Sequence, residues 1–122
     1  MRLTRRASLV AIFSVVTVTC APKAPLEMPA VTRGGVRFLL AHPDARSVAL
    51  TGSFNEWSTT SHRMSRQSSG LWTIVVPLPP GEHLFMYVVN DAEWITPPAA
   101  DDYADDGFGK RNGIVVVRPD ES

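Results

Sequence analysis

Between residues 36 and 118 the apolar positions fall in short runs separated by glycine, proline, asparagine and aspartate, and no stretch sustains a helical period of 3.6. Within residues 83–89 a two-residue alternation separates Phe85, Tyr87 and Val89 from Leu84, Met86 and Val88, as in a strand whose successive side chains point to opposite faces. The pattern predicts strands over 36–41, 47–51, 63–67, 71–77, 83–89, 93–95 and 114–118. Turn residues break them at Pro43-Asp44, after Gly52, at Ser69-Gly70, at Pro79-Pro80-Gly81 and at Asn90-Asp91, and residues 97–113 form a long loop. About seven short strands at this spacing predict an all-β domain, a small antiparallel β-sandwich. The aromatic set of 83–89 is assigned to the core. That leaves Leu84, Met86 and Val88 on a face less polar than an open sheet surface, and two readings stay open: partial cover by a neighbouring loop, or a contact face for a ligand or an envelope protein partner.

The first twenty residues follow a different pattern. Arg2, Arg5 and Arg6 precede an apolar run, Leu9 to Val18, interrupted only by Ser14 and Thr17, and Cys20 follows. This is the order of an exported leader over residues 1–19, and the run is shorter than the roughly 20 apolar residues of a spanning helix. Cys20 is the only cysteine, so no disulfide forms within the chain. The segment V-T-V-T-C resembles a bacterial lipobox, which makes Cys20 the expected lipid-attachment residue. Ala21 after it is similar to the outer-membrane sorting pattern, and T-R-R-A-S-L is loosely similar to a twin-arginine signal. Residues 20–33 contain Pro22, Pro25 and Pro29 and are expected to form a Pro-rich tether, with the sandwich occupying 34–119. The expected location is the bacterial envelope, held to the membrane through the lipid alone, or outside the cell if Cys20 carries no lipid.

Charge narrows the partners. Residues 1–19 hold three of the twelve basic residues and none of the twelve acidic ones, so the remainder carries a net charge of −3 with histidines neutral. A nucleic-acid partner is excluded on that balance. The acidic run Asp101, Asp102, Asp105, Asp106 fails the calcium-loop template, because Ala104 and Gly113 stand where ligands are needed; it reads as a solvated loop. His42, His62 and His83 are scattered without zinc-ligand spacing, and Ser53 lacks the setting of a nucleophile. No metal, cofactor or catalytic residue is therefore expected, and the protein is predicted not to be an enzyme.

Three tryptophans remain to be placed. Trp72 shares a strand face with Ile74 and Val76 and is assigned to the core. Trp57, among Glu56, Ser58, Thr59 and Thr60, sits on a turn-rich stretch where an indole is presented to a ligand, and Trp94 lies at a strand end just beyond Asn90-Asp91. Two indoles with Asn112 suit a sugar: the C–H face of a pyranose stacks on an aromatic ring, and an amide both donates to and accepts from its hydroxyls. A shallow site of this kind predicts a dissociation constant of about 10⁻³ to 10⁻⁵ M.

The segments V-A-L-T-G-S-F-N-E-W-S, G-L-W-T-I-V-V-P-L-P-P-G-E-H-L-F-M-Y-V-V-N-D and G-K-R-N-G-I-V-V-V together resemble the glycogen-binding module of the AMP-activated protein kinase β subunit. The same module is shared with the early-set domains of branching and isoamylase-type enzymes. The D-D-G-F-G-x-x-N ending is especially similar to free-standing bacterial envelope members. The resemblance implies an immunoglobulin-like early-set sandwich that binds an oligo- or polysaccharide of α-1,4-glucan type. It places Trp57 and Trp94 on the two stacking tryptophans, Asn112 on the sugar-bonding asparagine and Phe108 on a leucine that wedges against the glucan. Met86 stands where the family has a sugar-contacting lysine, Lys110 where it has a threonine, and N-D-A-E-W is one residue longer than the usual turn. Lys110 is expected to supply a donor from a new direction. The competing expectation is a protein-interaction module that docks an envelope protein through Leu84, Met86 and Val88 and keeps only a vestigial sugar site.

Overall fold

A computed structural model describes residues 10–17 and 27–120. It contains nine strands: β1 (Ala30–Thr32), β2 (Gly35–Ala41), β3 (Val48–Gly52), β4 (Ser65–Arg66), β5 (Leu71–Val76), β6 (Gly81–Val89), β7 (Glu93–Ile95), β8 (Asp102–Asp105) and β9 (Arg111–Val117). They form two antiparallel sheets, one in the order β1-β2-β5-β4 and the other β3-β6-β9-β8, with β7 also paired to β6. The expected small β-sandwich is thus the fold. The leader and Cys20 readings rest largely on residues 1–9 and 18–26, which lie outside the described residues. Residues 10–17 between them carry no regular secondary structure, and their large apolar side chains are exposed.

The core lies where the alternation puts it. Val36, Phe38, Leu40, Trp72 and Val76 of one sheet face Val48, Leu50, Phe85, Tyr87, Val89, Val115 and Val117 of the other. Phe85 sits at the centre, edge-on to Phe38 at 5.0 Å and to Tyr87 at 5.8 Å. Gly113, paired with Phe85, is required there: a Cβ would fall 2.9 Å from the Phe85 ring and 2.8 Å from Pro97. Trp72 is core as assigned, and its indole N–H donates to the His42 carbonyl at 3.0 Å.

Two strands lie where the sequence pattern predicts none. β1 falls within the segment expected to be tether and pairs with β2 through a tight turn at Arg33-Gly34, which Thr32 Oγ1 closes by donating to Gly35 O at 2.8 Å. β8 falls within the predicted long loop. Its side chains have no apolar alternation, and it is held from outside: Arg111 lies over the Tyr103 ring at 4.5 Å, and the Tyr103 hydroxyl donates to Pro97 O at 2.9 Å. β9 starts at Arg111, three residues before the predicted 114, so Asn112 is a strand residue.

Tyr87 is fully buried, with its hydroxyl donating to Leu39 O at 3.3 Å. Burial pushes the phenol far above its ordinary value near 10, and the charges of Glu27 and Tyr103 add to the shift. A raised phenol pKa means that the folded state holds its proton where the unfolded chain has released it. The stabilisation is complete below about pH 10 and is lost as pH rises above it. Tyr87→Phe is expected to cost about 1 kcal/mol at neutral pH, through the unpaired Leu39 carbonyl, and to flatten the alkaline decline. Urea unfolding midpoints at neutral and alkaline pH check both effects.

Candidate functional site

The site is built on the outward face of the second sheet, where β6 changes partner along one edge. Its ladder with β9 ends at Phe85–Gly113, and its ladder with β7 runs from Tyr87–Ile95. Met86 lies at the junction. Because Phe85 and Tyr87 point inward, Met86 points outward, and the same parity turns Asn112, next to Gly113, and Trp94, next to Ile95, to that face. Thr96 stitches the two partner strands together, its hydroxyl donating to Arg111 O at 2.9 Å. Trp94 sits opposite Val88, and Val88 opposite Ala49.

Trp57 reaches this face from a folded loop. Gly52 lets the chain pass under β6, since a Cβ there would lie 2.2 Å from Leu84 O, and a 3-10 turn at Ser53–Asn55 follows. The Ser53 hydroxyl accepts the Leu84 N–H at 3.1 Å, and Phe54 stacks on Phe38 at 6.3 Å. Asn55, Glu56, Trp57 and Ser58 then make a tight turn: Ser58 N–H donates to Asn55 O at 3.1 Å, and Glu56 and Trp57 take left-handed φ values of 56° and 58°. Two successive left-handed residues with side chains cost about 1–3 kcal/mol each and persist only where the surroundings impose them. The braces are visible. Trp57 N–H donates to Gly52 O at 2.9 Å, and the Asn55 amide accepts from Gly52 N and donates to Leu50 O. The far end of the loop runs back beside β3, with Leu50 N–H donating to His62 O and Met64 N–H to Val48 O, and the Arg63–Asp91 ion pair ties it to the β6–β7 turn at 3.2 Å.

The third wall is the loop 106–110. One Asp106 carboxylate oxygen accepts the N–H of Phe108 at 2.7 Å and of Lys110 at 3.1 Å, while Asp106 N–H donates to Lys110 O at 3.0 Å. Gly107 and Gly109 supply the left-handed positions, φ 82° and 88°, that so tight a closure needs. The loop holds up Phe108, an apolar ring that is 92% exposed. Sequence reasoning treated Asp106 as solvated; the signal for its role was its place two and four residues before Phe108 and Lys110, with glycines between. Lys110 does not reach into free space, because its Nζ donates to the Trp94 carbonyl and so ties the loop to β7.

Together these elements line a hollow of about 370 Å³ walled by Trp57, Met86, Trp94, Asp106, Phe108 and Asn112. A second hollow of about 520 Å³ adjoins it and shares Met86, Trp94, Asp106 and Phe108, with Glu93 and Lys110 at its far rim. Trp57, Trp94, Asn112, Phe108 and Lys110 thus all line one continuous groove. Both indoles are half-buried. Among the described residues the Asn112 side-chain amide makes no hydrogen bond, which leaves its donors and acceptor for a ligand. The groove offers apolar plates with one amide between them and no metal-binding cluster among the described residues.

The docking face read from Leu84, Met86 and Val88 is corrected by burial. Met86 is 3% and Val88 1% exposed, and Leu84 is only partly accessible, so the row offers no surface for a partner protein. Val88 lies between Ala49 and Trp94 in the sheet register, and Met86 forms the groove floor.

A family model described as the glycogen recognition site of AMP-activated protein kinase matches residues 37–122, well over half of the chain. The 1,4-alpha-glucan branching enzyme GlgB of Pseudomonas syringae pv. syringae (strain B728a) is 43% identical over 72 residues, 57% of this chain and 10% of the enzyme. That of Bacillus caldolyticus is 39% identical over 71 residues, 57% of this chain and 11% of the enzyme. The Synechococcus elongatus (strain ATCC 33912 / PCC 7942 / FACHB-805) enzyme is 40% identical over 53 residues, 43% of this chain and 7% of the enzyme. The chain therefore spans about a tenth of the length of these curated relatives.

Asp106→Ala is expected to release the Phe108 loop while leaving the sandwich intact. Amide hydrogen exchange at Phe108 and Lys110 should accelerate by about tenfold, the value of one charged acceptor bond, with the unfolding midpoint nearly unchanged.

Proposed function

This chain belongs to the family described as the glycogen recognition site of AMP-activated protein kinase, a family of carbohydrate-binding modules, and we propose that it binds an α-1,4-linked glucan without cleaving it. The observation that carries this reading is the convergence of Trp57, Trp94, Phe108 and the free Asn112 amide on one open groove. The relatives' names concern 1,4-alpha-glucan, which supports that linkage. Sugar rings stack by their C–H faces on Trp57 and Trp94, the exposed Phe108 ring fills the hollow of a curved chain, and Asn112 fixes the register through hydroxyl hydrogen bonds. Met86, almost fully buried at the groove floor, stands where a polar residue would supply a hydrogen bond, so stacking on the aromatic rings provides most of the affinity.

The carbohydrate-binding-module family and the engagement of Asp106 support the reading of binding without cleavage. Asp106 is engaged by two backbone amides, and glycoside hydrolysis needs a pair of carboxyl groups opposed across the bond. Lys110, bonded to the Trp94 carbonyl, acts first by fixing the loop and only secondarily as a donor at the rim of the second hollow. The leader pattern and the lipobox-like cysteine extend the proposal to an exported protein anchored through Cys20, facing glucan at the bacterial envelope.

Titration with maltoheptaose while following tryptophan fluorescence should saturate with a dissociation constant of about 10⁻³ to 10⁻⁵ M; a flat response defeats the sugar reading. Trp57→Ala and Trp94→Ala should each weaken binding by about five- to tenfold, and the double variant should abolish saturation. Trp57→Ala should shift the melting temperature by less than about 4 °C, the equivalent of 1 kcal/mol or less in a domain of this size.

Labelling of cells with a palmitate analogue should mark the wild-type chain and not Cys20→Ser. Equal labelling of both would rule out the anchor.

A further inference from the structure

The structure assigns to His62, which lines neither hollow of the groove, the part of an acid-sensitive positioning residue for Trp57. Its effect on affinity rests on the sugar-binding reading; its effect on the loop does not. The Asn55 side chain accepts the Gly52 N–H through Oδ1 at 3.0 Å and donates to Leu50 O through Nδ2 at 3.2 Å. Those two bonds fix the amide's orientation, because turning it over would set its NH2 against the Gly52 N–H and its oxygen against the Leu50 carbonyl. The remaining Nδ2 hydrogen is directed at His62 Nδ1, 2.9 Å away, and Nδ1 has to accept it. The ring is then the neutral tautomer that carries its proton on Nε2.

Acid puts the ring's second hydrogen on Nδ1, where it meets the hydrogen of Asn55 Nδ2. Two donors then face each other at hydrogen-bond distance, and either the ring or the amide must move. Asn55 is the first residue of the turn that holds Glu56 and Trp57 left-handed, and its carbonyl accepts Ser58 N–H. A displaced Asn55 releases the turn, and Trp57 with it.

The other groups around the ring do not substitute for this contact. Phe54 packs edge-on to it at 5.6 Å and carries no charge. The β5–β6 connection adds Pro77, Leu78 and Pro79 to a hollow shared with His62. His83 enters the same hollow from β6, and its Nε2 is engaged with Pro79 O at 2.7 Å. Arg63 is paired with Asp91, Glu56 lies on the turn itself, and among the described residues no carboxylate pairs with His62. Acid therefore acts on Trp57 through one hydrogen bond.

The test follows the Trp57 indole N–H resonance of the full chain, without sugar, from about pH 8 to about pH 5, the window in which imidazoles titrate. In the wild type this resonance should shift together with the His62 ring signals. In His62→Asn, whose carbonyl oxygen replaces Nδ1 with an acceptor that does not titrate, it should stay fixed, and in His83→Asn it should still move. A wild-type Trp57 signal indifferent to pH, or one that still titrates in His62→Asn, overturns the proposal. With maltoheptaose added, wild-type affinity should fall by about tenfold across the same window, roughly the value of one hydrogen bond, and His62→Asn should hold its neutral-pH affinity throughout. Absence of sugar binding at every pH would refute the glucan reading, while the resonance measurement would still decide the role of His62.

Discussion

The site depends on the register of β6. Driving Phe85, Tyr87 and Val89 into the core is worth about 1.5 to 3 kcal/mol for each side chain, and that burial leaves one choice of which residues face out. Cross-strand pairing then carries the choice to the neighbours: Trp94 faces out because it pairs with Val88, and Asn112 because it precedes Gly113, the partner of Phe85. A slip of one residue would turn both into the sandwich and bring Met86 with them. The same packing that stabilises the fold therefore sets the recognition face.

A second constraint is that neither projecting loop has a core of its own. The Trp57 loop is held by the Asn55 amide, the Ser53 hydroxyl and the Phe54–Phe38 stack; the Phe108 loop is held by Asp106 and by the Lys110 tie to β7. In each case a short polar side chain satisfies backbone groups within a few residues of the aromatic it supports. Preorganisation matters at an open groove, where stacking contributes only on the order of 1 kcal/mol per ring. Ordering a free loop on binding would cost as much or more.

The sandwich and its core were legible because alternation over residues 83–89 and the turn residues between runs are direct consequences of strand geometry. The groove aromatics were legible from their polar surroundings and from the resemblance to glycogen-binding modules. β8 was not, since an edge strand of aspartates with Tyr103 and Ala104 has no apolar period and is held by Arg111 and Pro97 from elsewhere in the chain. β1 was hidden by the prolines before it, of which Pro29 ends just where pairing begins. For a related reason the face of Leu84, Met86 and Val88 left cover by a loop and a contact face both open, and burial favours the cover. Hydropathy reports that a row is apolar but not that a loop and a tryptophan from other strands cover it.

Met86 shows how a loss of polarity at the groove floor can be compatible with recognition. A charged side chain between Trp94 and Asn112 would hold its own hydration shell in the narrow part of the groove, and sugar hydroxyls would have to displace it. A buried thioether holds none. The polar selectivity then falls to Asn112, whose amide has no competing protein partner among the described residues, and to the rim, where Glu93 and Lys110 lie. Under the proposed glucan reading, specificity comes from the curvature that Trp57, Trp94 and Phe108 impose on the chain of rings more than from the number of hydrogen bonds. On that reading the loops which set the curvature, held by Asn55 and Asp106, matter to recognition as much as the aromatic residues they present.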